Sequence, residues 1–306
     1  MDDTTVVRAA RRSLGKAGGF VPASFTEPPS IDGQREAARR IEAAGYRAAW
    51  SNEPVGGKDV LAQVAVLLAA TERLTFATGI ANIWARIPQI ANGAAALLAQ
   101  AYPDRFVLGL GVGYPQQAAA AGREFGRPLA TMRDYLERMK APVQPPAPGA
   151  PYARIVAANG PKMVALAAEL ADGVMPAGMP AAFTARTREQ LGPDKLLVVG
   201  LGFTADADAD RARAAARDSV AAGIARSPAR AAALVDLGFT ADEVAAVSDR
   251  LVDALSGHGS PERIAALIRE HLDAGADHVA LIPGGASVGA NLEQLEILAP
   301  ALADLA

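Results

Sequence analysis

Glu53 is the side chain best placed to do chemistry. It follows Trp50-Ser51-Asn52 just beyond a short strand-like run, residues 47–51, and no other ionisable acid lies between Ser51 and Gly57. A carboxylate at a strand end can hold a ring N–H or a hydroxyl, and it can relay a proton if partial burial raises its pKa. On a loop turned to solvent it would do neither. Asn159-Gly160-Pro161-Lys162 stands at another strand-to-helix junction, where free backbone N–H groups and a lysine could receive a phosphate or carboxylate. An ordinary capped turn has the same features.

Three further motifs fail on spacing or on partners. Gly109-Leu110-Gly111-Val112-Gly113 follows a strand, but for a dinucleotide fingerprint its third glycine comes one residue early and Pro115 interrupts the expected helix start. A loop whose backbone passes close to a ligand, or a tight turn, fits better. Gly285-Ala286-Ser287-Val288-Gly289 copies the nucleophile elbow, yet the histidine of that arrangement must follow the serine and none occurs beyond His278. Ser13 and Lys16 form a bare S-x-x-K without a K-T-G.

Composition removes whole classes of function. With no cysteine there is no disulfide, thiolate metal site or cysteine nucleophile, and His258, His271 and His278 show no paired metal-ligand spacing. No metal is expected. A net charge of −3 without a basic stripe gives no reason to expect nucleic acid. The longest apolar stretch, residues 60–70, is about half a membrane span and is broken by Gln63. Arg11-Arg12-Ser13-Leu14-Gly15-Lys16 faintly matches a twin-arginine signal, but residues 17–27 lack an apolar stretch and a cleavage site. A cytoplasmic protein with a small-molecule substrate and no membrane partner is expected, and a homodimer is compatible with this.

The elements that must position these residues alternate regularly. Short β-branched or aromatic runs give way to Ala/Leu-rich segments, with Gly, Pro, Asn or Asp at the junctions. Strands are expected at Gly19-Phe20-Val21 and at residues 47–51, 74–80, 105–110, 154–158, 172–175, 196–202 and 278–282. Helices are expected between them, one opened by Pro88 and another capped by Ser260 with Pro261 in its first turn. Residues 206–255 carry more helical pattern than one crossover needs, so residues 227–256 read as a helical insertion after the seventh strand. Eight strands alternating with helices predict a single α/β domain over residues 1–306, a (β/α)8 TIM barrel. An open doubly wound sheet is the alternative. The barrel is preferred because its chemistry sits on the βα loops, where the unusual residues fall.

Several fragments, in order, resemble the luciferase-like monooxygenase superfamily, in particular its coenzyme F420 (deazaflavin)-dependent oxidoreductases. They include Arg35-Glu36-Ala37-Ala38, Ala69-Ala70-Thr71-Glu72-Arg73-Leu74 through Ala81-Asn82, Arg105 through Gly113, Gly126-Arg127-Pro128-Leu129, Ser248-Asp249-Arg250-Leu251-Val252, and Gly259-Ser260-Pro261-Glu262 through Val279. The resemblance spans nearly the whole chain. It implies a barrel whose cofactor lies at the C-terminal mouth of the strands, with a cis Gly79–Ile80 peptide behind the deazaflavin ring. It also implies that Ala81 and Asn82 border the ring, that Gly111 and Gly113 line the next loop, and that Ala158, Asn159 and Gly160 meet the phosphate-bearing tail. Where many relatives carry Asp-His after the second strand this chain has Asn52-Glu53, and where relatives often carry glutamate or histidine after the fourth it has Tyr114-Pro115.

The resemblance points to hydride transfer between the deazaflavin and a small, largely apolar organic substrate, with Glu53 as polar partner or proton relay and Tyr114 as a secondary donor. Trp84 and the insertion would form the substrate wall. Two alternatives stand beside it: an FMN-dependent monooxygenase on the same fold, and a non-catalytic deazaflavin-binding protein, suggested by the missing histidine. Cofactor preference separates the first, and binding without turnover the second.

Overall fold

The computed structural model describes residues 3–23 and 29–305. Among the described residues ten strands are formed: β1 (Ala17–Phe20), β2 (Ala48–Ser51), β3 (Thr75–Thr78), β4 (Ala81–Asn82), β5 (Phe106–Gly111), β6 (Ala153–Ala157), β7 (Gly173–Met175), β8 (Leu196–Ala205), β9 (Ser256–Gly259) and β10 (His278–Pro283). Every pairing is parallel. The order β10-β1-β2-β3-β5-β6-β7-β8 closes on itself because β10 also pairs β8, from His278 opposite Val198 to Pro283 opposite Phe203. This is the eight-stranded barrel expected from the alternation of elements. The short β4 extends the barrel wall beside β5, and β9 pairs the upper half of β8, Gly202–Ala205.

Side-chain alternation sorts the strands into two cores. Phe20, Trp50, Ala77, Val107, Ile155, Met175, Val198 and Ala280 pack inside the barrel. Phe76, Leu108, Val156, Val174, Leu197 and Leu281 point outward into a larger core beneath the surrounding helices. Parallel strands buried on both faces read as near-continuous apolar runs, which is why they stood out in the sequence. Burying each large aliphatic or aromatic side chain contributes about 1.5–3 kcal/mol.

The helix Asp3–Leu14 was not foreseen. It closes the base of the barrel, where Val7, Ala10 and Leu14 join the interior cluster and Arg11 Nε meets Asp277 Oδ1 at 3.0 Å. Its charged sequence places apolar residues on one face only, so it lacks the solid apolar signal of a central element. The first strand lies slightly earlier than its expected position. Pro115 starts the short helix Pro115–Ala120 rather than preventing one, as proline can at a first helical position. Ser287 of the elbow-like motif is the N-cap of Val288–Leu298 and accepts from Ala290 N at 3.1 Å.

After β8 the chain forms helices Ala209–Ala225, Pro228–Asp236, Ala241–Ala246 and Asp249–Leu255 before returning as β9. A separate apolar cluster holds them together, with Ala216, Val220, Leu234, Phe239, Leu251 and Leu255 packed against Met179 and Phe183 beyond β7. These helices therefore lean on the C-terminal end of the barrel. The strand β9 escaped the sequence reading because Ser-Gly-His-Gly has little strand propensity of its own.

Candidate active site

The mouth of the barrel is shaped by small residues. At the upper ends of the strands the inward positions are Gly109 and Gly111 on β5, Ala157 on β6, and Gly200 and Gly202 on β8. Below them lie the rings of Phe20 and Trp50, whose centroids are 6.2 Å apart. The mouth is thus lined by short residues, and a cavity opens over Gly200 and Gly202. The Gly79–Ile80 peptide is cis, matching what the resemblance implied, and both residues are half-buried at this level. A Cβ on Gly111 would come within 2.7 Å of Ile80 Cγ1, so glycine there lets Ile80 lie flat against β5.

Ala81 and Asn82 continue along β5 opposite Leu110 and Gly111. Asn82 is 1% exposed, and its Oδ1 accepts from Trp84 N at 3.0 Å. Its Nδ2 has no hydrogen-bond partner among the described residues, and it lies 2.7 Å from where a Cβ on Gly113 would sit. A buried amide donor without an acceptor costs about 1–3 kcal/mol unless a ligand supplies one. Across the mouth, Asn159 ties two loops together: its Nδ2 donates to Ala177 O at 3.0 Å and its Oδ1 accepts from Ala177 N at 2.9 Å. Gly160 is the N-cap of Pro161–Leu170 and has open space beside it. Ala158 is buried between these elements.

Glu53 is buried and saturated. Its side chain is 1% exposed, Oε1 accepts from Val60 N at 3.0 Å, and Oε2 accepts from Asn82 N at 2.8 Å and from Arg86 Nη1 at 3.0 Å. Arg86 Nη2 donates to Oε1 and also reaches Asp59 Oδ2 at 2.7 Å. Four donors thus occupy the carboxylate, while the Glu53 N–H donates to Ile80 O at 3.1 Å. The residue joins the loop after β2 to both β4 and Ile80. Beside it opens a cavity of about 720 Å³, lined among others by Lys58, Trp84, Arg86, Arg123 and Tyr135. Burial pushes the Lys58 amine down to about 8, against the pull of Glu53.

Tyr114 is 43% exposed at the start of Pro115–Ala120, on the mouth side of β5. The histidines are structural. His278, at the base of β10, accepts from Trp50 Nε1 at 2.9 Å and its Nδ1 faces Gly15 O at 2.9 Å, while burial pushes its pKa down to about 4. His271 is fully buried against Thr184 Oγ1 at 2.9 Å, and burial likewise pushes it down to about 4. His258 on β9 contacts Asp253 Oδ1 at 2.7 Å. No group of three or more acidic or histidine ligands able to hold a metal occurs among the described residues.

The sequence reading missed Arg86, Lys58 and Arg230. Arg86 acquires its meaning only through Glu53, 33 residues away. Arg230 sits in an alanine-rich helix and belongs to no motif. Among the described residues no helix is long and apolar enough to cross a membrane.

Comparison with known proteins agrees with this geometry. The chain is 27% identical over 301 residues to a 5,10-methylenetetrahydromethanopterin reductase of Methanolobus tindarius, covering 84% of this chain and 91% of that protein. Its fold is similar to that of an F420-dependent secondary alcohol dehydrogenase in complex with an F420–acetone adduct, with a TM-score of 0.73, 17% identity, and 94% and 99% of the two chains covered. It is also similar in fold to the oxygenating constituent of 3,6-diketocamphane monooxygenase of Pseudomonas putida in complex with FMN, with a TM-score of 0.69, 16% identity, and 95% and 98% covered. The luciferase-like monooxygenase family matches residues 15–278. With that match running from the start of the first barrel strand to the start of the last, the chain belongs to the luciferase-like monooxygenase family of enzymes.

Proposed function

We propose that the chain is a coenzyme F420-dependent oxidoreductase that exchanges hydride between the deazaflavin and a small organic substrate. The observation that carries this reading is the floor of small residues at the strand ends, flanked by Ile80 and by the unpartnered amide of buried Asn82. A flat, largely apolar ring with polar edges fits that surface, and the deazaflavin when bound supplies the hydride chemistry. Gly79 and Ile80 back the ring, Ala81 and Asn82 border it, and Gly111 and Gly113, having no Cβ, let Ile80 and Asn82 pack closely along its edge. The backbone of Ala158, Asn159 and Gly160 faces the phosphate-bearing tail, where the free N–H groups at the start of Pro161–Leu170 favour an anion.

Within this reading Glu53 positions rather than relays. Its carboxylate has no free lone pair directed at the mouth once four donors are satisfied, and its work is to fix the backbone of Asn82 and Ile80. Tyr114, half-exposed at the mouth, is the secondary donor to substrate. The helices after β8 shield the reacting atoms from water.

Fluorescence titration tests the cofactor assignment. F420 is expected to bind at least tenfold more tightly than FMN, a difference of about 1.4 kcal/mol. Equal affinity or a preference for FMN would move the chain to the flavin monooxygenase reading, which the FMN complex of similar fold keeps open. F420 binding without hydride exchange on any carbonyl or alcohol would leave a non-catalytic binding protein.

A further inference from the structure

We propose that the mouth contains an anion-holding subsite centred on Arg230, and that the substrate carries a carboxylate or phosphate there. The inference rests on the oxidoreductase reading above and narrows its substrate class to anionic compounds.

Arg230 reaches from the helix Pro228–Asp236 toward the barrel end and donates from Nη2 to Ala177 O, the same carbonyl that Asn159 uses. Its guanidinium fits between two glycines. A Cβ on Gly178, where φ is 61°, would lie 2.4 Å from Nη2, and one on Gly223 would lie 2.3 Å from Nη1. Any side chain at either position would expel the arginine, so the slot is built for it.

The slot provides no counter-charge. Arg86, Arg188, Arg211 and Arg250 each pair with a carboxylate, whereas Arg230 meets none among the described residues, and its Nε is buried without a partner. A cavity of about 180 Å³ opens in front of it, between the ends of β7 and β8 where β9 has taken over the β8 edge. Arg226, Thr204, Ser219 and Ser256 line it above Gly200 and Gly202, and no acidic side chain does. Burial, with Arg226 nearby, pushes the Arg230 pKa down from its ordinary value, yet an arginine stays protonated. Two guanidinium groups and the hydroxyls of Thr204 and Ser219 therefore line one space, with Arg226 and Ser219 at its exposed rim, while the Ser256 hydroxyl donates to Gly202 O at 3.1 Å. A carboxylate or phosphate would relieve the uncompensated charge and could take paired hydrogen bonds from the guanidinium fork. Tyr114 lies close enough to Arg230 for its phenol to interact electrostatically with it.

The experiment follows tryptophan fluorescence and melting temperature of the full chain against inorganic phosphate and against benzoate, at constant ionic strength with chloride as reference. Saturable binding of one or both is expected, weakened at least tenfold in Arg230→Gln and less in Arg230→Lys, which keeps the charge but loses the fork. F420 affinity should stay within threefold in both variants. No saturation in the unaltered chain, or equal saturation in Arg230→Gln, overturns the subsite. Loss of F420 affinity in Arg230→Gln together with competition between phosphate and F420 would make the cofactor tail the occupant and overturn the substrate assignment. Arg226→Gln supplies a second variant outside the slot, with a smaller loss expected. If F420 fails to bind the unaltered chain at all, the oxidoreductase reading falls while the phosphate and benzoate measurements still decide the subsite.

Discussion

Arg86 closes over the buried carboxylate of Glu53 with both of its terminal nitrogens, and one of these also holds Asp59, the N-cap of Val60–Ala69. A single guanidinium thereby locks the loop after β2 to the start of the next helix. Because Asn82 N is held by the same carboxylate, the position of β4 at the mouth depends on this pair.

Glu53→Gln should therefore damage binding and turnover together. The neutral amide turns one acceptor into a donor facing donors and leaves Arg86 with Asp59 alone, and breaking a buried pair in this way costs about 3–5 kcal/mol. Melting temperature should fall and F420 affinity and kcat/KM should drop in parallel, each by about tenfold or more. A variant with unaltered F420 affinity and a kcat lowered about a hundredfold would restore Glu53 as a proton relay.

Asn82→Ala should separate the ring contact from the fold. It removes the unpartnered Nδ2 and the single acceptor for Trp84 N, so F420 affinity should weaken about tenfold with only a modest change in melting temperature. Unchanged affinity by fluorescence titration would place the ring elsewhere.

Stability should fall on acidification because of His271 and His278. Both are held neutral in the folded chain, with pKa values pushed down to about 4, while in the unfolded chain they titrate near the ordinary value of 6.5. Between these values the unfolded state binds more protons, so stability is full above pH about 6.5 and is lost as pH falls toward 4. Melting temperature at pH 5 should be lower than at pH 7.5 by about 5 °C or more. His278→Gln should reduce that difference, and an unchanged pH dependence in this variant would remove His278 from the account.

Gly109→Ala should be among the most damaging small substitutions. Its Cβ would lie 2.0 Å from the carbonyl oxygen of Thr78, a backbone atom fixed between β3 and β5. The Thr78 hydroxyl bridges to Gly109 on both sides, donating to its O at 2.7 Å and accepting from its N at 2.8 Å. Insoluble expression or a melting temperature at least about 10 °C lower is expected, and a normal melting curve would contradict the packing.

The barrel was legible because its strands are apolar on both faces and its helices carry clear punctuation, such as Ser260-Pro261 and Pro88. Interior aromatic residues such as Trp50 fell in their expected strand. What escaped depends on contacts between distant residues. Glu53 looks like a free acid until Arg86 is folded beside it, and His278 opens its expected strand with no partner in view until Trp50 donates to its ring. Arg230 resembles any helical arginine until Gly178 and Gly223 are seen to make space for it. No local pattern encodes those meetings.

The helix that corks the base is synthesised well before several of the partners that hold it there. Arg11 meets Asp277, and Gly15 meets His278 across a separation of 263 residues. At about 5–20 residues per second, on the order of tens of seconds of translation separate these partners. During that interval Val7, Ala10 and Leu14 present an apolar stripe with no barrel to enter. For that interval the nascent chain thus carries a sticky handle, and its yield in a cell will depend on how well chaperones shield that stripe until β10 leaves the ribosome.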